Sequence, residues 1–486
     1  MRRAGNRPTP ARGGHAVSES RLGWRSRVAL IAAASLALGG CGVLQEPGAQ
    51  EVAVPANPTL AVIGSKGPLS RRQAAEVLRR LKLEAPDADA LKVHLAVEQA
   101  VAGSPLSTGN SVQLLKDGTE TFPAMYAAIR GAQRALYLEY YIFEDVECEG
   151  VHLSDLLLER RAAGVEIAII YDSVGSSGTP AALFDKLREA GIRVLAFNPV
   201  NPLKKRFHWS INDRDHRKLL IADNRVAILG GINLATTYES APSHSGQDAG
   251  GATALQSKYW RDTDVAISGP AVDELAKLYR DHWRQQGGNE LSAEMERSGV
   301  TSTGSEVIRI IGSSPDAFAP RYYATVLSAI NTATRSVWIT TAYFVPTPQE
   351  RKALRSAARR GVDVRLLLPS QSDSAPSLAV QHAAYSDLLE AGLKVFERDG
   401  VILHSKTIVV DGVWSAIGSS NFDHRSVLFN DEVDAVILGS DTAAAFERLF
   451  RDDLESAHEI NRAEWARRSI VERMRELFWR TSTAFL

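Results

Sequence analysis

Cysteine is nearly missing from this 486-residue chain: Cys41 and Cys148 are the two that occur, so no disulfide framework holds the fold. An excess of either charge is missing too. Lysine and arginine number 56 against 57 acidic residues, which leaves a net charge of -1 and no bulk basic field to collect nucleic acid. Neither a His-Glu-x-x-His nor a Cys-x-x-Cys signature occurs, so the common zinc motifs are absent, and neither metal nor organic cofactor is expected. The apolar run VALIAAASLALGG (28–40) is too short to span a bilayer comfortably. What is present, 44% hydrophobic residues in a long chain, suffices for two or three domains with ample cores.

The amino-terminal stretch reads as a targeting segment rather than as fold. Arginine-rich sequence through Arg27, the short apolar run and the small residues before Cys41 make a secretory signal over residues 1–40. Leu38-Gly39-Gly40-Cys41 resembles the lipobox of bacterial lipoproteins, which implies lipidation of Cys41 and a place in the cell envelope, on the periplasmic face of the inner or outer membrane. Cys148 is an ordinary side chain on this reading. Residues 41–108 are a Gly/Pro/Ala-rich linker leading into two helical segments, SRRQAAEVLRRLKLE and ADALKVHLAVEQAVAG, expected to pack on the nearer half of the repeated region that begins at Asn110. At the other end, residues 459–486 include RAEWARRSIVERMRELFWR, a basic amphipathic helix suited either to the protein surface or to anionic lipid.

From Asn110 onward the chain repeats itself. AAIRGAQRALYLEYYIF (127–143) parallels SAINTATRSVWITTAYF (328–344), and Gly164 and Gly191 answer to Gly361 and Gly392. Helix alternating with strand argues for α/β units with buried, largely parallel strands. Two domains are therefore expected, 109–290 and 305–458, with the polar stretch 288–306 between them. The first copy carries a longer polar, small-residue loop, ESAPSHSGQDAGGATALQ.

The densest part of the repeat is RDHRKLLIADNRVAILGGIN, which returns as ILHSKTIVVDGVWSAIGSSN. Both hold His-x-Lys, then Asp, then Gly-x-x-Asn: His216, Lys218, Asp223 and Asn233 in the first, His404, Lys406, Asp411 and Asn421 in the second. LLIA and TIVV are short buried strands, Asp-Asn and Asp-Gly are hairpin turns, and RVAIL and VWSAI are return strands. The hairpin places the Asn at the second strand's end, about level with the His. Packing alone does not demand the same four polar residues twice at identical gaps, so the pair is functional.

These motifs resemble the duplicated HKD signature of the phospholipase D superfamily, and the flanks YWRDTDVAISGPAV and GSSNFDHRSVLFNDEVDAVI are most similar to bacterial cardiolipin synthases. The resemblance implies two homologous α/β sandwich domains related by a pseudo-twofold, each a mixed sheet flanked by helices. It implies one active site built from both halves, with His216, Lys218, Asp223, His404, Lys406 and Asp411 as catalytic residues. His216 would be the nucleophile and His404 the acid. Asn233 and Asn421 would support the phosphate, and the downstream acids Asp262 and Glu432 would orient His216 and His404 respectively. The implied activity is a metal-free phosphatidyltransferase that makes cardiolipin from phosphatidylglycerol with glycerol release. Hydrolysis of phospholipids is the alternative, and a nuclease a more distant one. The implied partner is a phospholipid membrane of phosphatidylglycerol, with phosphatidylethanolamine as a further lipid, and no nucleic acid.

Overall fold

The computed structural model describes residues 60–84, 88–199, 212–239, 259–292, 301–315, 320–469 and 474. The signal segment, Cys41, the linker before residue 60, most of the longer polar loop, residues 293–300 and the tail beyond 469 (residue 474 excepted) lie outside them. Two helices, α1 (Arg71–Glu84) and α2 (Ala88–Ala102), precede the repeated halves.

The first half runs β1 (Leu106–Lys116), α3 (Asp117–Gly131), β2 (Ala135–Tyr140), α4 (Leu153–Ala162), β3 (Glu166–Asp172), α5 (Ala181–Glu189) and β4 (Arg193–Phe197). It continues with β5 (Arg214–Asp215), β6 (Lys218–Ala222), β7 (Val226–Gly230), β8 (Trp260–Arg261), β9 (Thr263–Ser268) and α6 (Ala271–Gln285). The main strands lie in the order β4-β3-β2-β6-β7-β9-β1.

The second half repeats the plan with β10 (Glu306–Ser313), α7 (Arg321–Thr332), β11 (Ser336–Thr340), α8 (Pro348–Arg359), β12 (Asp363–Pro369), α9 (Ala375–Glu390) and β13 (Lys394–Arg398). Then come β14 (Ile402–Leu403), β15 (Thr407–Val410), β16 (Trp414–Gly418), α10 (His424–Leu428), β17 (Asn430–Leu438) and α11 (Ser440–Leu454). Its order, β13-β12-β11-β15-β16-β17-β10, matches the first half strand for strand.

The expected α/β class holds, but the strands are less parallel than the alternation of elements suggests. Among the seven main strands of each half, only β2-β3-β4 and β11-β12-β13 run parallel, because helices cross over between them. The hairpins β6-β7 and β15-β16 and the strands beyond them reverse direction at tight turns, so each sheet is mixed.

The two sheets meet along one strand. The later part of β1 pairs with β9, from Ser111↔Ser268 to Lys116↔Thr263, while Ser107 and Thr108 pair with Ile308 and Val307 of β10. Across this junction Ile221, Leu229, Val265 and Ile267 share one buried cluster with Ile308, Ile417, Val433 and Ile437. Each half also has its own core under its helices.

The amino-terminal helices pack on the second half, not the first as expected. Val77, Leu81 and Leu95 belong to the second core. His94 Nδ1 lies 3.1 Å from Ser328 Oγ on α7, and buried Glu98 takes hydrogen bonds from Arg309 (2.5 Å) and Trp414 (3.2 Å). The physical reason is the junction strand: α2 leads straight into the part of β1 that is paired with β10.

No helix among the described residues is long and apolar enough to cross a membrane. The start of the tail, Arg462–Ala466, packs on protein, with the Trp465 ring 4.9 Å from that of Tyr385.

Candidate active site

Both hairpins close as their turn residues require. Asp223 and Asn224 take φ of 53° and 56°, and Asp411 and Gly412 take 54° and 65°, the left-handed conformations that two-residue hairpin loops demand. Strand rise separates Lys218 from Asp223 by about 17 Å, so the aspartates lie at the far end of their strands from the His–Lys pairs. There the Asp223 carboxylate accepts from the backbone N–H groups of Gln133, Arg134 and Ala135 at 2.7, 2.8 and 2.9 Å. Asp411 does the same for Thr334, Arg335 and Ser336 at 2.9, 2.7 and 2.9 Å. Asp223 and Asp411, expected to be catalytic, thus tie the hairpin turn to the start of the neighbouring strand.

The orienting acids also differ from expectation, because the pairs are crossed. His216 Nδ1 meets Glu432 at 3.0 Å, and His404 Nδ1 meets Asp262 at 2.7 Å. Each imidazole is thus held by the acid of the other half. Two short parallel pairings explain this. β5 pairs with the start of β17, with Asp215 opposite Asp431, so the next residues, His216 and Glu432, come together. β8 pairs with β14, with Arg261 opposite Leu403, which brings Asp262 to His404. Neither pairing belongs to a hairpin, and neither is visible when each half is read alone.

These contacts join both hairpins in one site. Lys218 Nζ donates to the His216 carbonyl at 2.6 Å, and Lys406 Nζ lies 2.9 Å from His404 Nδ1. Nε2 of neither imidazole is bound to a described residue, so both rings present that nitrogen to a ligand. Burial pushes His216 down to about 4, and it pushes His404 well below the ordinary histidine range, with Lys406 and Lys218 adding to the effect. Burial also lowers Lys218 to about 7 and Lys406 to about 8, against the pull of the nearby acids. Glu432 is raised by burial, but His216, Lys218 and the Ser419 hydroxyl more than offset this and hold it below the usual carboxylate value. Asp262 is raised by burial to about 6.

The carboxamides stand at the hairpin ends as the spacing requires. Asn233 Oδ1 accepts from Ile142 N at 3.1 Å, and its Nδ2 lies 3.5 Å from the Tyr238 hydroxyl. Asn421 is buried, and its backbone N–H donates to Ser426.

Several neighbours escaped the sequence reading. Tyr238 OH lies 3.1 Å from His404 Nδ1, and the Trp260 ring lies 4.9 Å from the His404 ring. Tyr141 stands edge-on to His216 at 5.4 Å. Ser419 donates to Glu432 at 2.5 Å, and Asn430 Nδ2 donates to the same carboxylate at 3.1 Å. Ser419 was within sight, since GSSN replaces GGIN at that point, whereas an isolated aromatic carries no spacing signal.

One buried group next to the site has metal-capable donors: Glu139, Asp215 and His282 offer ligand atoms within 4.8 Å of one another. Arg217 already donates to Glu139 at 3.1 Å and to Asp431 at 3.4 Å, and His282 Nδ1 lies 2.6 Å from Glu139. Arg217 thus already faces the cluster and links Glu139 of the first half to Asp431 of the second, while Glu139 Oε2 and Asp215 Oδ2 take no hydrogen bond from a described residue.

A family profile described as "Cardiolipin synthase, PLD-like domain" matches residues 125–241 and 326–454. A probable cardiolipin synthase of Bacillus subtilis is 28% identical over 88% of this chain and 84% of its own length. A cardiolipin synthase of Geobacillus thermodenitrificans is 32% identical over 79% of this chain and 74% of its own. Among solved structures, phosphatidylserine synthase of Haemophilus influenzae superposes with a TM-score of 0.59 at 11% identity, over 81% of this chain and all of that one, a likeness of fold. With two copies of one α/β plan, two His–Lys hairpins meeting in one site and these matches, the chain belongs to the cardiolipin synthase family of PLD-like proteins.

Proposed function

We propose that this protein is a phosphatidyltransferase that makes cardiolipin from two molecules of phosphatidylglycerol and releases glycerol. The observation that carries this reading is the crossed pair of imidazoles, each fixed at Nδ1 by a buried acid and open at Nε2. In the first step, neutral His216 attacks phosphorus through Nε2, the bond from phosphorus to the glycerol headgroup breaks, and protonated His404 gives its proton to the departing oxygen. In the second, a glycerol hydroxyl of another phosphatidylglycerol passes its proton to His404 as its oxygen takes phosphorus from His216. An arriving phosphodiester supplies the negative charge that favours protonated His404 and the two ammonium groups. Lys218 and Lys406 hold the phosphoryl oxygens, with Asn233 and Asn421 as polar support.

On this reading residues 109–290 and 305–458 are two PLD-like domains sharing one site, and a lipid anchor at Cys41 keeps that site at the envelope membrane, where lipid alcohols abound. Transfer outruns hydrolysis when the acceptor is held in place, since orientation supplies effective molarities on the order of 10⁵ M or more. The test is purified protein with phosphatidylglycerol vesicles: cardiolipin and free glycerol form without nucleotide, and in the presence of a chelator. Phosphatidic acid as the main product would make the protein a phospholipase D, and cleavage of DNA with neither lipid product would make it a nuclease.

A further inference from the structure

The two halves differ at the rim of the shared site. In the first half, Ser176 follows β3 and is buried: its hydroxyl donates to the Tyr141 carbonyl at 3.0 Å and accepts from Phe143 N at 3.1 Å. At the matching place after β12 the second half has Asp373, whose side chain is exposed. Where the first half has Ile142, the repeat register puts Tyr343 in the second. The Tyr343 hydroxyl donates to Asp373 Oδ1 at 2.8 Å, and Ser372 Oγ donates to the same oxygen at 3.2 Å. Asp373 Oδ2 takes no hydrogen bond from a described residue. The Tyr343 ring stands edge-on to His404 with centroids 6.2 Å apart, so it bridges from the reacting imidazole to the carboxylate. The charge of Asp373 is felt by His404 and Lys406 and, across the site, by Tyr141 of the first half.

A carboxylate at this mouth does nothing for the phosphate, which it repels. Its open oxygen suits a donor: the hydroxyl of an alcohol whose neighbouring hydroxyl lies at His404. We infer that Asp373, steered by Tyr343, is a specificity-determining residue that reads a second hydroxyl of the alcohol exchanged at His404, and so selects polyol headgroups. The inference rests on the transferase reading above and adds the acceptor class to it. Asp373 accepts a hydrogen bond from the alcohol and exchanges no proton with it. A monohydroxy alcohol leaves its oxygen unanswered, and a headgroup with its own carboxylate is repelled.

The experiment uses the full-length protein with phosphatidylglycerol vesicles and added soluble acceptors, measuring transfer to isotopically labelled glycerol (read as label entering phosphatidylglycerol), to 1-propanol and to ethanolamine beside release of phosphatidic acid. In the wild type glycerol is preferred over 1-propanol. In Asp373→Asn and Asp373→Ala that preference drops about tenfold, while transfer to 1-propanol relative to hydrolysis changes much less. Tyr343→Phe, which keeps the ring and removes only the donor to Asp373, shifts the same ratio in the same direction by a smaller factor. An unchanged glycerol-to-propanol ratio in all three variants overturns the inference, as does a loss that falls equally on every acceptor and on water. Selective loss of ethanolamine transfer in the Asp373 variants also overturns it, in favour of an ammonium site. Wild-type protein that transfers to no alcohol and only hydrolyses overturns the transferase reading and the inference with it. That outcome is seen before any variant is compared.

Discussion

The two half-sites, alike in their hairpins, are supported in different ways. At His216 the orienting acid is a glutamate, braced by Ser419 and Asn430, and the imidazole has this one partner at Nδ1. At His404 the acid is the shorter Asp262, and Nδ1 also lies 3.1 Å from Tyr238 OH and 2.9 Å from Lys406 Nζ. Gly231 stands where the other half has Ser419, and a Cβ there would come within 2.1 Å of Asp262 Oδ1. The shorter acid, the missing side chain and the added tyrosine belong together. The difference teaches that duplication leaves room for two roles: on the proposed mechanism, an acid held below its usual range stands behind the nucleophile, and an acid raised toward neutrality behind the residue that moves protons.

The largest effect sought is loss of either imidazole. His216→Ala and His404→Ala should each lower turnover about 10⁴-fold, although each variant retains one intact hairpin. A phosphoryl adduct mapped by mass spectrometry should sit on His216. Finding it on His404 would exchange the two roles.

Next come the crossed acids. Glu432→Gln and Asp262→Asn should each cost about 100-fold with phosphatidylglycerol. With a phosphodiester whose leaving group departs without a proton, Asp262→Asn should recover most of that loss and Glu432→Gln should not. Equal recovery by both would erase the division of labour. The pH profile of kcat/KM carries the same asymmetry. Asp262, raised to about 6, loses its charge as pH falls through that value, while Lys218, lowered to about 7, loses its charge as pH rises. The optimum should therefore lie between them, and Asp262→Asn should lose the acidic limb.

Making the first half like the second is a sharper probe. Gly231→Ser should drive Asp262 from His404 and cost about 100-fold in turnover, whereas Ser419→Ala, which only removes a donor to Glu432, should cost about tenfold. Near-equal effects would mean that the small residue at 231 is incidental.

The smallest catalytic effect belongs to the turn aspartates. Asp223→Ala should reduce the stability to urea by about 3 kcal/mol, since three buried or half-buried N–H groups lose a charged acceptor, yet change turnover of the folded fraction less than threefold. A loss of turnover on the scale of His216→Ala would return Asp223 to the chemistry.

Much of this was legible in the sequence because it depends on local chemistry. The hairpins follow from β-branched runs and from Asp-Asn and Asp-Gly, and the repeat offsets locate Asp262 and Glu432 as well as the His–Lys pairs. The pairing of each acid with the opposite imidazole was not legible. It depends on two strand contacts between Asp215 and Asp431 and between Arg261 and Leu403, partners separated by well over a hundred positions. The backbone contacts of Asp223 and Asp411 were equally hidden, because an aspartate in a motif looks the same whatever its carboxylate binds. Nothing local in the amino-terminal helices names the half they pack on; the shared strand carries them to the farther one.

That shared strand also sets how the enzyme is able to move. Because one continuous backbone, Leu106–Lys116, is laced into both sheets, the halves cannot swing apart like a clamp without breaking a strand in its middle. The catalytic groups are then brought into register once, during folding, and not again at every turnover. Substrate has to arrive at a mouth that is already set, and adaptation to differing acyl chains or headgroups falls to the loops around it. Heating should melt both halves together, with no stage at which one folded half waits beside an unfolded one.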